Sequence, residues 1–119
     1  MKKDQCRDYV VAMFRFYART GQPDRTQINN FKTQLSSAAI LDLIAVEETL
    51  RSFREKCRND IIEAVVEVYF YCPSREIRKN EISRRVLSFS HKHNIEERSV
   101  YRMLHTARVV CAEKRNLNQ

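Results

Sequence analysis

Apolar residues recur at helical spacing in the first quarter of the chain. Between residues 3 and 19 they fall at i, i+3, i+4, i+7, i+8 and i+11, which predicts a helix with one apolar stripe. Gly21 and Pro23 follow it, as is typical after a helix end. A shorter helix is expected over residues 24–33, with Ile28 directed inward.

A longer helix is predicted from Ser36 or Ser37, either of which can cap it, to about Lys56. Its apolar positions alternate steps of four and three and so form a seam. The central seam residues are Leu43, Val46, Leu50 and Phe53. Core packing within one chain explains such a seam, and so does the pairing of two protomers in a homodimer; the pattern leaves both open. Glu47 and Arg51 are expected to form an i, i+4 pair on the opposite side.

The segment over residues 60–72, DIIEAVVEVYFYC, fits two patterns. Its residues alternate as in a strand, and β-branched side chains are frequent. However, Asp60, Glu63 and Glu67 fall on one helical face, and no second strand of comparable quality is available to pair with it. We therefore predict a helix buried on most sides, whose acidic stripe faces either solvent or the basic residues that follow.

Two helices are predicted in the last third of the chain, over residues 80–93 and 96–114. Asn94 stands between them, and asparagine tolerates the left-handed backbone that a sharp turn between helices demands. The inward positions of the first helix are Ile82, Val86 and Phe89. Its outward positions are Arg84, Arg85, Ser88 and Lys92. The pattern is that of a helix-turn-helix.

Composition favours an all-α fold, a compact helical bundle. One glycine and two prolines among 119 residues leave little for hairpins or phosphate-cradling loops. We expect two halves of one compact unit, residues 1–58 for packing or dimerisation and residues 59–119 for the helix-turn-helix. No apolar run approaches the length of a membrane span, and no apolar region follows the first lysines, so a soluble, cytoplasmic chain without a membrane partner is expected.

Neither a metal nor a cofactor is expected from the cysteines and histidines. The four cysteines form no CxxC pair and have no histidine at zinc-finger spacing, so reduced and mostly buried thiols are predicted. His91 and His93 point to different sides of a helix and cannot share a ligand sphere.

Charge is concentrated towards the end of the chain. The net charge is +7, and residues 73–119 carry eleven basic and five acidic side chains. Such a balance favours a polyanionic partner, for example a nucleic acid.

Residues 94–104, NIEERSVYRML, resemble the second half of the helix-turn-helix in region 4 of bacterial sigma factors. They are also similar to phage transcriptional regulators of the ArpU type. The resemblance is close over about a dozen residues and loose over residues 60–115. This chain departs from it in a first motif helix about two turns longer, and in Glu96 where the family places a capping serine.

The resemblance implies sequence-specific binding of double-stranded DNA by a bacterial or phage transcriptional regulator, with RNA polymerase as a further possible partner. The last helix would then lie in the major groove. The residues expected to reach base edges are Glu97, Arg98, Ser99 and Arg102. Those expected to contact phosphates are Arg84, Arg85, His91, Lys92 and Tyr101. Arginine suits base reading because its planar fork can donate two hydrogen bonds to guanine.

Of two other classes of function, an enzyme and a protein-interaction module, only the second competes with DNA binding. An enzyme is not expected, because the chain contains no Gly-rich phosphate loop, HExxH or GxSxG, and its adjacent carboxylates diverge by about 100° on a helix. A helical protein-interaction or oligomerisation module that uses the seam over residues 39–57 is the alternative.

Overall fold

The fold consists of α-helices alone in residues 2–78 and 80–117, the part of the chain that this computed structural model describes. Six helices lie in that part: α1 Lys3–Arg19, α2 Arg25–Asn30, α3 Ser37–Glu55, α4 Asn59–Tyr69, α5 Glu81–His93 and α6 Glu97–Arg115. The all-α prediction is confirmed, and the ambiguous segment over residues 60–72 is helical up to Tyr69. The radius of gyration, 14.0 Å, is that of a compact chain of about this length.

Local signals set the helix ends in the first half of the chain. Gly21 follows α1 with φ 87°, a left-handed conformation that glycine adopts without strain. Asp24 caps α2: its carboxylate accepts from the backbone N–H of Gln27 at 2.8 Å, and the Gln27 side chain accepts from the Asp24 N–H at 2.9 Å. The Ser36 hydroxyl caps α3 by accepting from the N–H of Ala39 at 3.1 Å.

The last helix lies at the centre of the packing. α6 packs against α1, α3, α4 and α5, and α3 is its most extensive neighbour. The four seam residues of α3 are 0–4 % exposed within one chain. The seam is therefore used for packing within one chain, and a homodimer would need another surface. None of the helices in the described ranges is long and apolar enough to cross a membrane.

Glu47 departs from the prediction that it lies on the side of α3 opposite the core. It pairs with Arg51 as expected, with Nε and Oε2 3.4 Å apart, yet Glu47 is only 8 % exposed. The reason is that α1 and α2 also pack on α3, so that the covered face is wider than the seam. Burial, together with the Glu47 carboxylate, raises the pKa of Tyr17 on α1 to about 12.

The prediction of mostly buried thiols holds for two of the four cysteines. Cys6 and Cys111 are buried, and burial raises the pKa of Cys111 to about 12. Cys57 and Cys72 are exposed, because they lie in the connections that follow α3 and α4 and not on a packed helix face.

A polar cluster ties the far end of α6 to α1 and α3. Arg115 Nε lies 2.7 Å from Asp42 Oδ1, and the Tyr9 hydroxyl donates to the same carboxylate at 3.0 Å. Burial and the hydrogen bond to Asp42 raise the pKa of Tyr9. The three residues come from three helices, so this cluster fixes how α6 lies on its neighbours.

Candidate nucleic-acid interface

A tight turn joins α5 to α6. Asn94 adopts φ 54° and ψ 49°, which confirms the predicted left-handed residue at the end of α5. The N–H of Ile95 donates to the carbonyl of Ser90 at 3.0 Å, and the Ser90 hydroxyl donates back to the Ile95 carbonyl. Because Ile95 also packs against the core, the start of α6 is held firmly relative to α5.

One side of α6 is directed away from the core and carries basic side chains. We call the residues Arg98, Tyr101, Arg102 and His105 the α6 face. All four are exposed, and they follow the i, i+3, i+4, i+7 spacing of one helical surface. Neither Arg98 nor Arg102 forms an ion pair within the described residues. Their guanidinium groups are therefore available to a ligand.

The other two residues expected to read bases occupy different positions. Glu97 is exposed in the first turn of α6, where a carboxylate suits the positive end of the helix dipole. Ser99 is half-buried, because it lies about 100° around the helix from Arg98. Glu96 precedes α6 without a side-chain capping hydrogen bond.

Two of the expected phosphate contacts lie close to the turn. His91 and Lys92 are exposed in the last turn of α5, and Lys92 Nζ lies 2.7 Å from Oε1 of Glu67 on α4. His93 points inward instead, with its ring 4.1 Å from that of Phe89. Burial pushes the pKa of Glu67 upwards, but hydrogen bonds from Lys92 and His93 bring it below its usual range. The acidic stripe of α4 thus meets the basic residues that follow it.

Arg85 does not project outward, and that part of the prediction is wrong. Its guanidinium donates to the Val68 carbonyl at 2.7 Å and to the Glu81 carboxylate, and it lies 4.5 Å from the centre of the Tyr71 ring. The cause is the neighbouring C-terminus of α4, whose free carbonyls attract a cation. Arg84, by contrast, is exposed.

Sequence reasoning missed the part played by Arg15. This arginine of α1 is 5 % exposed. Its guanidinium donates hydrogen bonds to the main-chain carbonyls of Tyr69, Tyr71, Cys72 and Arg75. The first three bonds measure 2.7–3.1 Å. The acceptors lie more than fifty positions further along the chain, so no local pattern marks them.

A second arginine cluster holds the other side of the segment after α4. Arg75 Nη1 lies 2.6 Å from Glu81 Oε1, and Arg85 contacts the second oxygen of the same carboxylate. The hydrogen bond from Arg75 lowers the pKa of Glu81 to about 2. Together with Arg15, this cluster fixes residues 70–78 in one conformation.

A groove between α1 and α6, of about 370 Å³, borders the α6 face. Its walls include Lys3, Arg7, His105 and Arg108. Arg108 donates to the Tyr69 hydroxyl at 2.8 Å, whereas Lys3 forms no ion pair within the described part of the chain. Asp4 also lines this groove, and Arg7 is paired with Asp4 and Asp8, so acidic side chains balance the basic ones that α1 contributes.

No group of three or more His, Cys, Asp or Glu side chains is placed to hold a metal ion in residues 2–78 and 80–117. Comparisons of the chain with protein-family models, with curated proteins and with solved structures gave no match.

Proposed function

We propose that this protein binds double-stranded DNA through the α6 face. The observation that carries the proposal is the pair Arg98 and Arg102, exposed and unpaired one turn apart near the start of a helix that a tight turn introduces. The positive charge of residues 73–119 supports it, as does the resemblance of residues 94–104 to a DNA-reading helix.

The positions of the side chains suggest which of them contact bases and which contact phosphates. Arg98 and Arg102 reach the base edges, where each guanidinium can donate two hydrogen bonds to a guanine. Glu97 can accept from the amino group of a cytosine beside them. Lys92 lies near the turn and can contact a phosphate once it releases Glu67. His91 forms no ion pair within the described residues, so it can contact a phosphate directly. Such phosphate contacts position the helix and make binding dependent on salt.

A wider role in transcription follows from the resemblance alone. We propose a non-enzymatic regulator of bacterial or phage origin that acts in the cytoplasm on a specific DNA sequence. RNA polymerase is a further partner that the similarity to sigma region 4 suggests.

Fluorescence anisotropy with labelled duplex DNA tests the proposal. A mixed-sequence duplex titrated at low and moderate salt should bind, and it should bind more weakly at the higher salt. Replacing both Arg98 and Arg102 by alanine should weaken binding, by about 1–3 kcal/mol for each arginine wherever the duplex presents a guanine to it. The matched control is Arg54→Ala with Lys56→Ala, which removes the same charge from the end of α3 and should change binding much less.

Two outcomes would count against DNA binding. One is an absence of binding at low salt, and the other is binding that the paired α6 variant and the paired α3 control weaken equally. Either would favour the helical protein-interaction module, in which α5 and α6 serve only as architecture.

A further inference from the structure

A wide concavity of the described structure lies outside the α6 face. It is an open groove of about 780 Å³ between the end of α4, the segment over residues 70–78 and the start of α5. Its walls hold four arginines, namely Arg75, Arg78, Arg84 and Arg85. The volume lies within the roughly 300–1,000 Å³ that small-molecule sites occupy.

The charges in the groove leave cationic groups without a counterion. Glu81 is already held by Arg75 and Arg85, and Glu67 is held by Lys92. Arg78 and Arg84 are exposed, and neither forms an ion pair within the described residues. Two guanidinium groups thus remain free at the rim, where they suit a phosphate group, which arginine binds with two parallel hydrogen bonds.

An aromatic ring also lies open in the same groove. Tyr71 is 59 % exposed, the highest value among the exposed large hydrophobic side chains. The Arg85 guanidinium covers one face of the ring, 4.5 Å from its centre. Tyr71 lines the groove, and the remainder of its ring is open to it. A second flat group can stack on the ring, since an exposed tyrosine face attracts a nucleobase of any kind.

The segment that carries Tyr71 is held before any ligand arrives. Arg15 binds the carbonyls on both sides of it, and Cys72 next to it adopts φ 43°, a conformation that a residue other than glycine adopts at a cost. Arg15 and the ion cluster of Arg75, Glu81 and Arg85 thus hold the segment over residues 70–78 in place at the surface, away from the α6 face. Such preorganisation lowers the entropic cost of binding.

We propose that this groove is a binding site for a nucleoside phosphate. The base stacks on Tyr71, and the phosphate is held by Arg78 and Arg84. The site is separate from the α6 face, so the inference does not depend on DNA binding there. The same chemistry is offered by a free nucleotide and by the phosphorylated end of a single strand.

Calorimetric titration of the full chain tests this site. AMP should bind more tightly than adenosine or inorganic phosphate, because only AMP engages both the ring and the arginines. Tyr71→Ala should weaken AMP binding about five- to 100-fold, whereas Tyr71→Phe, which keeps the ring, should leave it nearly unchanged. Tyr101→Ala removes an exposed tyrosine from the α6 face and is the matched control. A joint change of Arg78 and Arg84 to alanine should reduce AMP binding to the level of adenosine.

Each result decides a separate question. Titration with a 5′-phosphorylated single-stranded tetranucleotide distinguishes a free nucleotide from the end of a single strand. If AMP binds more tightly, the ligand is a free nucleotide, and if the tetranucleotide binds more tightly, it is a strand end. If neither produces heat at about 1 mM, or if Tyr71→Ala and Tyr101→Ala weaken binding alike, the site is refuted. The paired alanine variant of Arg98 and Arg102 should bind AMP normally, so that a failure of DNA binding and a failure of this site are distinguishable.

Discussion

Replacing Arg15 by leucine should destabilise the protein more than any other single arginine substitution on α1. The variant keeps an apolar stem but loses every hydrogen bond that Arg15 makes to the segment after α4. The bond to the Tyr69 carbonyl is fully buried, and the other three are partly buried.

The loss of unfolding free energy depends on whether water can reach the carbonyls that Arg15 no longer bonds. A buried carbonyl left without a partner costs about 1–3 kcal/mol, and each partly buried bond that water can replace costs about 0.5–1 kcal/mol. The loss is therefore about 2.5–6 kcal/mol, a large share of the roughly 5–15 kcal/mol by which such domains are stable. With a urea m-value of about 2 kcal/mol/M, the midpoint of unfolding should fall by about 1–3 M.

Urea unfolding followed by circular dichroism measures this loss, with Arg19→Leu as the matched control. Arg19 lies one turn later on the same helix and makes one exposed hydrogen bond to the Pro73 carbonyl at 3.2 Å. Its replacement should cost less than about 0.5 kcal/mol. A cost below about 1 kcal/mol for Arg15→Leu, or equal costs for the two variants, would refute the idea that Arg15 holds this segment.

Two further substitutions probe charge and backbone. The pKa of Glu81 is lowered from its ordinary 4.5 to about 2, so its contribution to the free energy of unfolding is present above pH 4.5 and is lost as the pH falls towards 2. Unfolding of Glu81→Gln should therefore depend less on pH in that window than unfolding of the original chain, and parallel pH curves would contradict this. At the turn, Asn94→Ala should lower the free energy of unfolding by about 1 kcal/mol, whereas Asn94→Gly should change it little, because glycine adopts a left-handed backbone freely. Thermal unfolding checks this, and a glycine variant as unstable as the alanine variant would count against it.

The helices were predictable because their signals are local. α1 has the predicted bounds, Lys3–Arg19, and α6 begins and ends within one residue of its predicted range. Periodic apolar residues, a capping serine at position 36 and a left-handed asparagine at position 94 act over only a few residues. A single sequence displays such signals directly.

The tertiary roles of charged residues were not predictable from the same patterns. Arg15 and Arg85 have the sequence surroundings of exposed side chains, yet both bind carbonyls near the end of α4. Glu47 is buried because two other helices lie on α3, which periodicity within α3 does not reveal. Likewise, the 3–4 spacing of the seam is the same for packing within a chain and for packing between chains.

The polar cluster of Tyr9, Asp42 and Arg115 has a thermodynamic consequence for the binding of a ligand to α6. Because α6 is secured at its far end and covered along its length by four other helices, it needs no folding on arrival at a ligand. If α6 binds DNA as proposed, the duplex meets a surface already in its final shape, and the heat-capacity change of binding should reflect only the area covered at the contact.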